Sequence, residues 1–218
     1  MRVNKDWLLT PQRAAIHLPT ATAVIADLHL GYNEARRQAG EAVPQVELDE
    51  VIAALGSLLA VYEPQRLLIA GDLFEDGRCA TLAEGFLDWL REASLELVGI
   101  VPGNHDRGLK PGASRLPIYP ESVPLGDWRV VHGDARLPRQ PVIQGHCHPC
   151  LRCGSRIAAP CFLIAARHII LPAFSADAAG VNVFRNPQWR SYRCCAIAGD
   201  EVLDFGMVAA LRKAQSEW

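Results

Sequence analysis

The sequence contains no run of the roughly 18 uninterrupted apolar residues that a membrane-spanning helix requires, so no membrane partner is expected. It also lacks, from Met1 to Gln12, the basic stretch followed by an apolar one that marks a secretory signal, which makes the cytoplasm the expected location. There is no excess of positive charge: 22 Lys and Arg face 24 Asp and Glu, leaving a net charge of −2. A global basic field that recruits nucleic acid is thereby excluded. No repeat, low-complexity tract or linker divides the 218 residues, so one domain spanning 1–218 is expected. An even cysteine framework is missing as well. The seven cysteines, without an export signal, read as reduced thiols. Three of them, Cys147, Cys150 and Cys153, have metal-like spacing, but no fourth ligand is evident, and small buried thiols are the expectation.

Histidine beside carboxylate or amide is what the chain does have. Five motifs follow in order: Asp27-Leu28-His29-Leu30-Gly31, Gly71-Asp72-Leu73-Phe74, Gly103-Asn104-His105-Asp106, His132-Gly133-Asp134 and Gly145-His146-Cys147-His148. They hold five of the seven histidines, which no packing requirement asks for. Imidazole and carboxylate together suit a pair of borderline-hard divalent cations, so the series points to a two-metal hydrolase.

Apolar patterning places these motifs. The runs 23–26, 66–70 and 95–101 read as buried strands, each running out into one of the first three motifs. Residues 46–62 carry apolar side chains at three- and four-residue steps, as an amphipathic helix does. Thr81-x-x-Glu84 has capping-box form and predicts the start of a second helix. From 128 onward, short apolar runs at 128–132, 141–144, 161–165, 168–172, 181–184, 193–198 and 201–206 predict successive strands, many of them antiparallel. A β-α-β-α-β first half and a strand-rich second half fit an α/β arrangement of two packed sheets with helices outside. Ligands gather where such strands end, and glycines at 31, 71, 103, 133 and 145 permit close backbone approach there.

Asp27 and His29 are two residues apart and share one side of a regular strand, as do His146 and His148. Asp72 in its glycine turn is suited to bridging two cations. Asn104 offers a neutral amide oxygen and His132 another imidazole. His17 and His168 lie in apolar surroundings and read as core histidines. Trp7, Trp89, Trp128 and Trp189 read as core as well. Arg36-Arg37 reads as a solvated helix face, and Asp134 either shapes its loop or contacts a ligand histidine.

Residues 1–100 hold eight Lys and Arg against fifteen Asp and Glu, whereas residues 101–160 hold eight against four. Arg107, Lys110, Arg115, Arg136, Arg139, Arg152 and Arg156 follow motifs closely, either as a basic rim for an anionic substrate or as ordinary solvated arginines. Arg107 is the candidate substrate contact.

The series resembles the calcineurin-like metallophosphoesterase superfamily, whose pattern runs D-x-H, G-D, G-N-H-D/E, H and G-H-x-H. The likeness covers residues 22 to about 150 with motifs and continues more loosely beyond. Ala26 to Tyr32, Gly145 to Pro149, Pro160-Cys161-Phe162-Leu163 and Leu171-Pro172-Ala173-Phe174-Ser175 are similar to the small SbcD-related and DNA-ligase-associated phosphoesterases. That resemblance implies a four-layer αββα sandwich and a dinuclear centre of manganese type, with iron, zinc, nickel or magnesium as alternatives. It implies that Asp27, His29, Asp72 and His148 hold one metal, and that Asp72, Asn104, His132 and His146 hold the other. His105 matches the histidine near the leaving group. Its carboxylate partner is Asp106 by adjacency, with Glu75 and Asp76 as competitors. The expected substrate is a phosphodiester, tilted by the family neighbourhood towards DNA, with a DNA-repair protein as an admissible partner. At 218 residues there is little room for a large capping domain, which favours an open site and a general phosphodiesterase. The alternatives are a small-nucleotide phosphodiesterase or phosphomonoesterase, and a non-catalytic interaction module on the same fold.

Overall fold

The computed structural model describes residues 1–43, 47–75, 80–112, 115–154 and 157–215. Five strands form the first sheet in chain order: β1 (Trp7–Leu9), β2 (Ala15–His17), β3 (Thr22–Ile25), β4 (Arg66–Ala70) and β5 (Glu96–Val101). The first three pair antiparallel, and β3, β4 and β5 pair parallel. Parallel pairing needs crossovers; α1 (Tyr32–Gln38) and α2 (Glu47–Tyr62) lie between β3 and β4, and α3 (Ala80–Glu92) lies between β4 and β5.

The second sheet is built from the rest of the chain: β6 (Val123–Leu125), β7 (Trp128–Val131), β8 (Val142–Gln144), β9 (Pro149–Cys153), β10 (Ile157–Ala165), β11 (His168–Ile170), β12 (Val181–Asn182), β13 (Arg193–Ala198) and β14 (Glu201–Met207). Its order is β12-β9-β10-β11-β8-β7-β6, with β13 joined to β10 and β14 beyond β13. The sheet is more mixed than the expected antiparallel run. β7 with β8, β8 with β11, and β9 with β12 are parallel. The chain detours through the β9–β10 hairpin before β11 returns beside β8, and that return sets the direction.

Side-chain alternation along the strands sorts the apolar residues into three layers. Ala23, Ile25, Leu67 and Ile69 face α2 and α3, meeting Leu55, Leu58, Phe86 and Leu90. Their neighbours Val24, Ala26, Leu68 and Ala70 face the second sheet, meeting Val130, Ile143, Phe162 and Cys195. On the far side of that sheet, Cys161, Leu163, Cys194 and Ala196 pack under Trp189 and Val208, the latter opening α4 (Val208–Gln215). Each fully buried large aliphatic side chain contributes roughly 1.5–3 kcal/mol. The result is a sandwich of two mixed sheets with few helices.

The predicted helix over 46–62 appears as α2, with residue 46 outside the described residues. Helix α3 is described from Ala80 onward, and the predicted helix start adjoins residues 76–79, which lie outside the described residues. Among the described residues no helix is long and apolar enough to cross a membrane. His17 is a buried histidine that bonds Thr20 Oγ1 and packs on Trp7, whereas His168 is half-buried and bonds Gln144 and Tyr192. Burial lowers the pKa of both. Trp7 and Trp128 stack edge to face, and Trp189 is buried.

Candidate metal centre

The loops after β3 and β4 continue the parallel pairing beyond the strand ends. Asp27 N–H donates to the Gly71 carbonyl (3.0 Å), His29 N–H to Asp72 (2.9 Å) and Leu30 N–H to Leu73 (2.9 Å). This zipper places the first two motifs side by side. The third is tied to them by Asp106, whose buried carboxylate accepts from Gly103 (3.0 Å), Leu73 (3.2 Å) and Phe74 (2.9 Å) N–H. His105 N–H donates to Asp72 Oδ1 at 2.9 Å. The second sheet joins where His146 N–H reaches the Asp27 carboxylate (2.9 and 3.1 Å).

Asp27 and His29 do not share a side by strand alternation. β3 ends at Ile25, and both residues are left-handed, with φ of 57° and 52°. His146 (66°), His148 (42°) and Asp72 (46°) are left-handed too. Non-glycine residues avoid this region, and holding one there costs of order 1–3 kcal/mol. Of nine such positions among the described residues, five are therefore candidate ligands. Strain concentrated in this way marks a functional site.

Two glycines are required by contact. A Cβ on Gly71 (φ 91°) would lie 1.9 Å from His132 Nδ1, and one on Gly103 would lie 2.1 Å from Asp72 Oδ1. Neither position has room for alanine without displacing a candidate ligand.

The donor atoms converge in overlapping groups: Asp27, His29 and His148; His29, Asp72 and His105; and Asp72, His132 and His146. Within each group the ligating atoms lie within 4.8 Å of one another. In the first group, His29 Nδ1 bonds Glu75 Oε2 (2.8 Å), while its buried Nε2 has no hydrogen-bond partner. His148 Nε2 is likewise buried without a hydrogen bond, 3.4 Å from Asp27 Oδ2. Buried polar atoms are ordinarily satisfied, so two orphaned imidazole nitrogens beside a carboxylate fit a cation. In the third group, His132 Nδ1 donates to the Ala70 carbonyl (3.2 Å), which leaves Nε2 with its lone pair. That lone pair faces Asn104 Oδ1 (3.2 Å), Asp72 Oδ2 (3.4 Å) and His146 Nδ1 (3.0 Å). A cation placed there would satisfy all four atoms at once. The middle group joins His29 of the first to Asp72 of the third, which puts Asp72 between the two outer groups, where a bridging ligand would sit.

Titration differs across the site. Burial, reinforced by His132, lowers the pKa of His146. At His148 burial also pulls downward, but Asp27, Asp72 and Glu75 outweigh it and the pKa is raised. Burial raises the pKa of Asp106 despite its three backbone donors.

Asp106, favoured on adjacency as the partner of His105, is turned the other way. Its oxygens are taken by the three backbone N–H groups, which leaves it a loop tie. Glu75 stands at His105 instead. Its carbonyl oxygen lies 3.2 Å from His105 Nδ1 and its Oε1 at 3.4 Å, while its Oε2 holds His29. The parallel zipper is the signal for this: Leu30 bridges Phe74 and Glu75 N–H donates to Leu30, so Glu75 flanks the first motif. Asp76 lies outside the described residues.

The basic rim is thinner than the sequence suggests. Arg115 lines an open cavity with Arg91, Ser94 and Glu96 at the start of β5, and Arg139 lies by the start of β8, both away from the motifs. Arg156 is outside the described residues. Arg107 is exposed and makes no ion pair or hydrogen bond among the described residues. Arg36 and Arg37 pair with Glu41 and Glu34. The nearness of Asp134 acts electrostatically on His146. Among the described residues, the cysteines join no cluster with metal-ligand geometry. Burial lifts the Cys147 thiol to about 11.

A family model for calcineurin-like phosphoesterase matches residues 21–151. Among solved structures, the Pseudomonas putida nuclease MPE shares the fold, with a TM-score of 0.69 and 24% identity over 91% of this chain and 94% of that one. No curated protein matches.

Proposed function

The chain belongs to the calcineurin-like phosphoesterase family, and from that premise we propose that it hydrolyses phosphodiester bonds, with nucleic acid as substrate, using two divalent cations. The family makes it a phosphoesterase and so a hydrolase. The single observation that carries the two-cation reading is the convergence of two donor groups, Asp27 with His29 and His148, where two imidazole nitrogens have no partner, and Asp72 with His132 and His146, joined by a third group that brings His29 to Asp72. Asp27, His29, Asp72 and His148 would hold one cation, and Asp72, Asn104, His132 and His146 the other. Manganese suits this mixed nitrogen and oxygen set. Two cations bound there lower the pKa of water and neutralise charge on a phosphoryl group.

The chain's own side chains do the rest. His105 carries a proton to the departing oxygen through Nε2, because Glu75 occupies its Nδ1 side with a carbonyl and a carboxylate. Glu75 holds His29 through its other oxygen, so one residue orients both the proton donor and a ligand. Asn104 and His146 are exposed, and His105 keeps 36% of its side-chain surface. An open site of this kind admits an extended substrate, which favours a polymer over a mononucleotide. The nuclease title of the structural neighbour supports the same choice. A complete donor set argues against a docking module that merely kept the fold.

The test is metal analysis of purified protein, with a manganese-dependent assay on bis-p-nitrophenyl phosphate followed by single-stranded, duplex and cyclic nucleotide substrates. Two bound equivalents and preferential cleavage of DNA are expected. Absence of both bound metal and hydrolysis would remove the reading, and preference for a cyclic nucleotide or a monoester would replace the substrate.

A further inference from the structure

Gln144 ends β8, immediately before the Gly145–His148 motif, and is buried. A buried primary amide has two donors and an acceptor to satisfy. Gln144 Nε2 reaches the Gly145 carbonyl at 3.4 Å and Cys147 Sγ at 3.5 Å. A carbonyl only accepts, so the NH₂ end must face this loop and Oε1 must face away. Oε1 lies 2.7 Å from His168 Nε2, which must therefore carry the hydrogen. His168 Nδ1 is then a lone pair, and it accepts the Tyr192 hydroxyl at 2.7 Å. Every bond in the chain Tyr192 to His168 to Gln144 to Gly145 and Cys147 has its direction fixed by the last acceptor.

The same amide meets a second loop. A Cβ on Gly133 (φ 112°) would fall 2.4 Å from Gln144 Nε2. Gln144 thus lies under both the turn after His132 and the loop that bears His146. His146 is otherwise anchored through its N–H to Asp27. His148 has an anchor of its own, because its carbonyl accepts Val181 N–H at 2.8 Å. His132 and His146 come from the two loops that share the Gln144 contact.

We propose that Tyr192, His168 and Gln144 form a positioning relay for the cation site of Asp72, Asn104, His132 and His146. The relay locks the amide so that the two ligand-bearing loops of the second sheet stand at coordinating distance. This rests on the two-cation reading above. None of the three residues touches a substrate or a cation. Breaking the relay loosens one cation site selectively and lowers turnover through lost occupancy.

The experiment is a calorimetric titration of metal-free protein with Mn²⁺, comparing wild type with Gln144→Met and Tyr192→Phe. Gln144→Met keeps the volume and loses every amide bond. Tyr192→Phe removes the hydroxyl at the far end of the relay and leaves the Gln144 amide and its loop contacts in place. Gln144→Met should weaken one equivalent about 10–100-fold, as loss of a group supporting metal ligands does, with the other changed much less. Tyr192→Phe should weaken the same equivalent by a smaller factor. Turnover in both variants should recover as Mn²⁺ is raised, which damage to the fold would not allow. Unchanged affinity in both variants, or equal weakening of both equivalents, overturns the relay. If Gln144→Met does not fold, Tyr192→Phe decides on the same criteria. A wild type that fails to bind two equivalents overturns the underlying reading instead.

Discussion

Asp27, His29 and His148 meet in a closed setting, whereas Asp72, His132, His146 and Asn104 meet at an open one. In the first cluster Asp27 and His29 are buried, His148 is partly buried, and two imidazole nitrogens have no hydrogen bond. In the second, Asn104 and His146 are exposed and the donor atoms contact one another at 3.0–3.4 Å. The closed cluster has its donors preset and desolvated, so it would bind a cation without reorganising. The open cluster can let its donors exchange partners, and on the proposed function it is the side from which a substrate would arrive. One site thus combines a fixed anchor with an accessible face, and the difference is testable.

Removing the shared ligand should erase the distinction. Asp72→Asn is expected to cost both equivalents of metal and bring turnover to background, read by metal analysis beside the diester assay. Retention of one tight equivalent would separate the clusters more than the geometry allows. His105→Ala comes next. It should lower turnover about 10²–10⁴-fold with both equivalents retained. Unchanged turnover at full occupancy would remove His105 from proton transfer.

Glu75→Gln probes the closed side together with His105. Loss of the carboxylate at His29 Nδ1 should weaken one equivalent about 10–100-fold, and the pH profile of turnover should also shift, because Glu75 faces His105. Weakening confined to the other equivalent would reverse the assignment. The smallest effect concerns metal-free protein followed by NMR. The raised pKa of His148 means that it loses its proton above the usual histidine value near 6.5, and the lowered pKa of His146 means that it loses its proton below it. The linked stabilities have opposite signs. That of His148 is present below 6.5 and disappears as pH rises through its folded value. That of His146 is present above 6.5 and disappears as pH falls through its folded value. Titration in the opposite order would refute the electrostatic contrast.

Much of this was legible in the chain. The apolar runs ending before Asp27, Asp72 and Asn104 gave the three parallel strands of the first sheet, because strands buried on both faces for much of their length form continuous apolar stretches. The metallophosphoesterase family and two-sheet architecture were legible from the same motifs. The short strands β1, β2, β6 and β9 were not, since three to five residues carry little periodicity and Pro124 and Pro149 disguise two of them. At the site, residue types were readable but backbone conformation was not. Two-residue spacing suggested alternation where left-handed turns do the work. Adjacency pointed from His105 to Asp106, while the partner at hand is Glu75, contributed by a loop thirty residues earlier. Gln144 carries no motif, and only its amide contacts reveal it.

The candidate ligands are divided between the two sheets. Asp27, His29, Asp72 and Asn104 follow strands of the first, and His132, His146 and His148 follow strands of the second. Cations held there would rivet one sheet to the other across the apolar layer between them. Folding and occupancy would then be a single equilibrium: free metal at a hundred times its dissociation constant adds about 2.7 kcal/mol per site to the folded state. A chelator would therefore act on this protein as a denaturant as well as an inhibitor.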